Sequence, residues 1–280
     1  MIKISSNFEE TLRERFAKYF RFDNSLYWQD YYQQKYVKGD TRREEEYAKI
    51  IKKYAKNGKI VDIGSGFGFL LREMWRQGLK VEGVDLFEEM INEGRKYLHD
   101  TDVKIIKSDI LELPYPKDSL DGICLMSILE HFPEQEVRED IVPFIRKLLK
   151  KRGIVFVHVP MKTVHSRFAR WYRKFIDKDL PIWALDDDGD VTHRMWLTSG
   201  EYIKMFEEYG FELINYDFYL TRSNLKPKIL SNFMGKLQQR MKYTDPVFEK
   251  CFAKEPMMIK LSKMFKAHMA LTGYLLFRKI

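Results

Sequence analysis

Cysteine is nearly absent: the 280-residue chain holds two, Cys124 and Cys251, far apart and outside any CxxC or Cys/His grouping. That excludes a disulfide framework and a structural zinc site, and fits a reducing interior better than secretion. Long apolar runs are also lacking, since nothing approaches the roughly 18 residues of a membrane span. The opening MIKISSNFEETLRERF has no apolar stretch of the kind a secretory leader needs. A cytoplasmic protein is expected, with one-sided contact to a membrane left open. No Pro/Gly/Ser-rich tract and no internal repeat is found, which argues against a long disordered segment. No grouping of His, Asp and Glu has metal-ligand spacing, so no metal is expected.

Acidic residues are scarce only at one end. Residues 222–280 carry 13 Lys/Arg against 3 Asp/Glu, while the whole chain has a formal charge of +8. A basic surface is therefore a property of the C-terminal region, which bears on partners and not on fold. With 45% hydrophobic residues, the chain can build one well-buried core with insertions or two small domains, and one core is the simpler organisation.

Phe8, Leu12, Phe16 and Tyr19 recur at helical spacing near the start, and the aromatic patch Tyr27, Trp28, Tyr31 and Tyr32 follows. A helix over 41–56 stops at Asn57-Gly58. Short apolar runs then alternate with amphipathic segments. Strands are expected at 59–63, 80–85, 103–108, 120–126 and 153–159, with helices beginning near Gly68, Phe87, Pro133 and Ser199. Residues 211–220 and 273–280 supply a sixth and a seventh strand. This alternation implies a parallel sheet with helices on both faces, doubly wound and Rossmann-like. Two stretches break it, about 161–197 and 222–272, and both follow strands near the end of the sheet, where such folds place substrate-covering elements.

The run Ile60-Val61-Asp62-Ile63-Gly64-Ser65-Gly66-Phe67-Gly68-Phe69 is an apolar strand, a glycine turn and the start of a helix. Glycines there let the backbone turn sharply and approach a ligand closely, and the helix amides beside them can hold a polar group. Asp85, at the end of the second strand, can accept hydrogen bonds from both ribose hydroxyls. These features specify an adenosine-type cofactor. A dinucleotide fingerprint would want glycine or alanine where Phe69 stands, so a close pyrophosphate approach is disfavoured. A nicotinamide-dependent oxidoreductase remains the alternative enzyme class.

At these residues the sequence resembles the class I S-adenosylmethionine-dependent methyltransferases. The likeness continues through Lys107-Ser108-Asp109-Ile110 and Ser119-Leu120-Asp121-Gly122-Ile123 to Ser127-Ile128-Leu129-Glu130-His131-Phe132. That last stretch looks like the branch holding ubiquinone-biosynthesis and related small-molecule enzymes. Arg194-Met195-Trp196-Leu197-Thr198 and Gly210-Phe211 match its common ending, a Thr-capped helix followed by Gly-Phe. The resemblance implies a Rossmann-like α/β fold of seven strands with the seventh antiparallel and insertions after strands five and six. It implies S-adenosylmethionine as cofactor, S-adenosylhomocysteine as product, and a cofactor site of Asp62, Gly64, Ser65, Gly66, Gly68, Asp85, Leu86, Asp109, Ile110 and Met126. Residues 1–40 would lie over the active site, 41–280 would form the methyltransferase domain, and the two insertions would form the substrate lid.

Because the sulfonium already makes its methyl group electrophilic, catalysis in this family is largely alignment of the acceptor atom. An oxygen acceptor also needs a base, and histidine has the right pKa range. His193 is the preferred base and His131 the second, each against a plain structural role. His158, in an apolar strand, reads as a core histidine. Glu130 and His131 are neighbours on a helix and do not face each other, so they form no dyad. The Asn/Asp-Pro-Pro-Tyr/Phe signature of many amino-group methyltransferases is absent after the fourth strand.

In 229–241 the residues Ile229, Leu230, Phe233, Met234, Leu237 and Met241 share one helical face, and Met257, Met258, Leu261, Met264, Phe265 and Met269 repeat the pattern among lysines. Such helices either pack on the domain, lie on an anionic membrane or admit greasy substrates. The expected acceptor is a small or lipid-like molecule methylated on oxygen, with nucleic acid disfavoured as a partner. An RNA or protein methyltransferase using the basic helices, and a non-catalytic cofactor-binding or membrane-docking protein, are the alternatives.

Overall fold

The structure, a computed structural model, describes residues 41–55, 58–162, 197–219 and 272–280. The N-terminal helix and aromatic patch, nearly all of the first expected insertion, and the basic methionine-rich helices of the second lie outside these residues.

Helix α1 (Arg42–Ala55) leads into β1 (Lys59–Ile63), α2 (Phe69–Arg76), β2 (Lys80–Asp85), α3 (Glu88–Tyr97), β3 (Lys104–Lys107) and β4 (Leu120–Met126). A short 3-10 turn (Leu129–His131) and a helix ending as α4 (Val142–Leu148) precede β5 (Leu149–Pro160); α5 (Ser199–Glu207), β6 (Phe211–Tyr219) and β7 (Thr272–Lys279) complete the fold. The strands form one seven-stranded sheet in the order β3-β2-β1-β4-β5-β7-β6. β1 to β5 run parallel and β7 runs antiparallel to both neighbours, the arrangement expected from the sequence. The order reverses between β1 and β4, which opens a crevice at the carboxyl ends of those strands, the usual ligand position in open α/β sheets.

The inner strands are apolar on both faces because both are covered. On one face Ile60, Cys124, Phe156 and Leu276 pack with Tyr47 and Ile51 of α1, Leu71 and Met74 of α2 and Ile91 of α3. Val61, Ile123, Val155 and Phe277 on the other face meet Ile145 of α4 and Tyr202 and Phe206 of α5. Tyr47 sits 5.0 Å from Phe156 and Phe206 stacks on Phe277 at 4.4 Å, placing aromatic bulk where the helices meet the sheet. No helix among the described residues is long and apolar enough to cross a membrane.

Two elements differ from their expected form. β5 starts four residues early, at Leu149, because Lys150 to Arg152 form an exposed irregularity in which the register against β4 shifts and Arg152 takes φ 67°; three consecutive basic residues gave no strand signal. The helix after β4 opens at Glu134–Glu136 and passes through a π turn at Val137–Ile141 before α4. Pro143, which has no N–H for the helix ladder, follows directly, and a widened turn is one way a helix accommodates such a residue.

Candidate functional site

The glycine turn crosses the carboxyl edge of the sheet. Gly64, Gly66 and Gly68 take φ values of 72°, 51° and 75°, the left-handed region that disfavours any Cβ. The amides of Gly64 and Ser65 both donate to the Val84 carbonyl, at 2.8 and 3.0 Å, folding the turn over the end of β2. Asp85 fastens it there: its Oδ2 accepts from the Gly66 amide at 2.8 Å and its Oδ1 from the Phe87 amide at 3.0 Å. One buried carboxylate thus holds both the loop and the start of α3. Burial pushes its pKa up, opposed by the backbone amides of Phe87, Gly66 and Leu86. α3 presses close behind, since a Cβ on Gly94 would lie 2.8 Å from the Gly66 carbonyl oxygen. A Cβ on Gly66 would meet no atom within 4 Å, so the front of the turn is open.

Below the turn, Asp62 is 2% exposed and its Oδ1 has no hydrogen-bond partner. Burial, reinforced by the nearby Asp85, raises its pKa well above the usual carboxylate range. Cys124 faces it from the adjacent β4 position, and burial and the Asp62 charge push that thiol up. Ser65 Oγ is a second buried oxygen without a partner. Two orphaned polar atoms beside an open glycine turn could hold a polar, cationic ligand.

The other cofactor residues expected from the sequence line the same edge. Ser108 donates its amide to the Asp85 carbonyl at 3.1 Å, bringing the segment after β3 beside β2. Half-buried Asp109 accepts from the Leu111 amide at 2.9 Å through Oδ1, with its pKa raised by burial, and Ile110 is buried next to it. Leu86 and Met126, both half-buried, cap β2 and β4.

Beyond β4, Ile128 closes over the turn, its Cδ1 3.0 Å from where a Gly64 Cβ would stand. His131, half-buried, ends the 3-10 turn with its amide donating to the Ile128 carbonyl at 3.1 Å. Glu130 is buried; burial lifts its carboxyl to about 8, and its Oε2 lacks a partner. His193 lies outside the described residues.

One pair escaped sequence reasoning. Ser127 is an exposed, non-glycine residue at φ 53°, its amide bonded to the His158 carbonyl at 2.8 Å and its Oγ 3.0 Å from His158 Nδ1. Such a backbone outlier marks a position fixed by its surroundings. His158 is itself buried, as a core histidine should be, and burial followed by the charge of Arg43 holds it down to about 3, so it is neutral. The only sequence signal was the run Ser127 to His131 itself, because the pairing of β4 with β5 is not local.

The methyltransferase-domain family matches residues 40–216. Among curated relatives, a ubiquinone biosynthesis O-methyltransferase of Pelagibacter ubique is 37% identical over 136 residues, 47% of this chain and 54% of that protein. An uncharacterized methyltransferase of Geobacillus is 28% identical over 193 residues, 66% of this chain and 86% of the other. The chain thus spans about half the length of the Pelagibacter relative. A solved S-adenosylmethionine-dependent methyltransferase of Archaeoglobus fulgidus superposes with a TM-score of 0.57 at 14% identity, covering 90% of this chain and 100% of that one, a likeness of fold. With the glycine turn, its carboxylates and the strand order in place, the chain belongs to the methyltransferase-domain family of the class I S-adenosylmethionine-dependent superfamily.

Proposed function

We propose that this protein binds S-adenosylmethionine at the carboxyl edge of β1, β2 and β4 and transfers its methyl group to an oxygen of a small, lipid-like acceptor. The observation that carries the reading is the open turn at Gly66 with Asp85 behind it and the unpartnered Asp62 and Ser65 oxygens below it. These residues fit the cofactor. Asp85 has lone pairs left for ribose hydroxyls, the segment at Asp109 and Ile110 lies where an adenine ring would rest, and Asp62 offers negative charge to the amino-acid end. When bound, S-adenosylmethionine supplies a methyl group already activated by its sulfonium.

The protein's own contribution is alignment, exclusion of water and removal of the acceptor's proton. His131 and His193 are the bases in this reading, and residues 1–40 with the segments about 161–197 and 222–272 form the cover over the acceptor. The oxygen acceptor is supported by the Pelagibacter relative, named for O-methylation in ubiquinone biosynthesis. Basic helices facing anionic lipid would bring such a molecule from a membrane surface.

Mass spectrometry after incubation with isotopically labelled S-adenosylmethionine and a panel of alkyl phenols and hydroxylated lipids tests the assignment. A product carrying the label on oxygen, lost on joint replacement of His131 and His193 by alanine, is expected. Cofactor binding without any labelled product from the panel or a cell extract would instead favour a non-catalytic binding protein.

A further inference from the structure

We propose that Ser127 holds the methyl acceptor: its Oγ accepts a hydrogen bond from the acceptor's hydroxyl, while its own proton is held on His158 Nδ1. The inference rests on the oxygen-acceptor reading above. Ser127 follows Met126, the last residue of β4, at the place where the strand order reverses. Asp62 is level with Cys124 and Ile63 with Leu125, so the chain leaves β4 beside the glycine turn. Ile128, the next residue, reaches over that turn. Ser127 itself is exposed, which puts its hydroxyl within reach of a molecule lying in the crevice.

Two bonds tie Ser127 to β5. Its amide donates to the His158 carbonyl at 2.8 Å, and its Oγ lies 3.0 Å from His158 Nδ1. They hold the residue at φ 53°, a left-handed conformation that glycine adopts freely and serine does not. What serine adds to glycine at this position is the hydroxyl. The ring that orients it is fixed in turn: His158 is 4% exposed, stands opposite Tyr274 of β7 and lies 5.7 Å from the Tyr47 ring of α1. Burial and the nearby Arg43 charge keep the imidazole neutral, so it is a fixed hydrogen-bond partner and not a base.

A neutral imidazole presents one N–H and one bare nitrogen. With Nδ1 bare, the Ser127 hydroxyl donates to it, and toward the crevice Oγ can only accept. Such an oxygen selects a partner that carries a proton, an alcohol or phenol, over the same molecule without its hydroxyl. Accepting from that O–H draws it toward alkoxide character and leaves the acceptor's own lone pairs free for the methyl carbon. The opposite tautomer would turn the serine proton outward, onto the lone pairs that must react. Ser127 keeps its proton throughout and forms no covalent bond; the acceptor's proton leaves to the base of the reading above. His158, which acts through Ser127, is a positioning residue.

NMR of the full chain carrying isotopically labelled histidine reads the tautomer, because bare and protonated ring nitrogens resonate far apart; the His158 signals are those missing from His158→Asn. A bare Nδ1 with a protonated Nε2 is expected, and a proton on Nδ1 would overturn the proposal. Methyl transfer to an alkyl phenol, measured beside S-adenosylhomocysteine affinity, reads the contact. Ser127→Gly, which suits φ 53°, should lower kcat/KM by about tenfold or more with S-adenosylhomocysteine affinity unchanged. In calorimetry its S-adenosylhomocysteine complex should also lose the preference for the phenol over the matching alkylbenzene. His158→Phe should lower transfer similarly, and His158→Asn, whose amide oxygen can stand near the place of Nδ1, should recover much of it. Equal loss in the two His158 variants would count against the orienting bond, and the tautomer and Ser127→Gly decide even if His158→Phe fails to fold. Wild-type transfer by Ser127→Gly overturns this inference alone. No labelled product from the wild-type protein with any hydroxylated acceptor overturns the oxygen-acceptor reading with it.

Discussion

Asp85 joins the glycine turn to the start of α3 by two amide bonds, so its loss should be felt in ligand binding and in local order together. Gly66 separates those effects. Its φ of 51° makes alanine strained by roughly 1–2 kcal/mol, yet no protein atom would touch the new Cβ. Gly66→Ala should therefore lower stability only by about that amount in denaturant titration, while S-adenosylhomocysteine affinity falls by at least tenfold in calorimetry. Unchanged affinity would mean that the front of the turn does not face the ligand. This part of the site was legible in the sequence because glycine spacing and a strand-end acid are local signals. The Ser127–His158 contact was not, since it depends on Met126 of β4 pairing with His158 of β5, 32 residues on. The burial of Glu130 was missed for the same reason: it depends on packing around the turn after β4, whereas only its divergence from His131 follows from helix geometry.

Among the elements, α5 shows how a short motif fixes a boundary. Thr198 Oγ1 accepts from the Glu201 amide at 3.3 Å and the Glu201 carboxylate accepts from the Thr198 amide at 2.7 Å, a reciprocal capping box. Thr198→Ala should cost about 1 kcal/mol of stability, measured by denaturant unfolding, and leave cofactor affinity unchanged because α5 packs on the face opposite Asp62. An affinity loss would place α5 closer to the ligand than the fold does. Strand–helix alternation and this cap were readable because each rests on neighbouring residues. The early start of β5 and the π turn before Pro143 were not: the first depends on Leu149 pairing with Leu120 of β4 ahead of the register shift, the second on how a helix absorbs a missing donor.

For the whole molecule, two buried groups set opposite limits on stability. His158 titrates near 3 in the folded protein against an ordinary 6.5, so below about 6.5 the unfolded chain binds the proton first and stability falls on acidification. Glu130 titrates near 8 against an ordinary 4.5. Here the folded state holds the extra proton, and stability falls as pH rises from 4.5 through 8. Melting temperature plotted against pH should therefore decline on both sides of a middle range. Glu130→Gln should flatten the alkaline limb and His158→Gln the acid limb; limbs that persist in these variants would assign them to other groups. The sheet and its covered faces were implied by the sequence, because a parallel sheet needs helices between its strands; the strand order was not, since it rests on pairings between distant residues. The proposed cover over the acceptor was not fixed by the sequence, because the apolar patterns of those segments admit several partners.

The central claim is that the glycine turn and Asp85 hold S-adenosylmethionine or its product. Calorimetric titration of the full chain with S-adenosylhomocysteine tests it most directly. Saturable binding in the micromolar range, lost in Asp85→Ala while the variant remains folded by circular dichroism, is the predicted result. No binding at millimolar ligand, or the same affinity in Asp85→Ala, would contradict it.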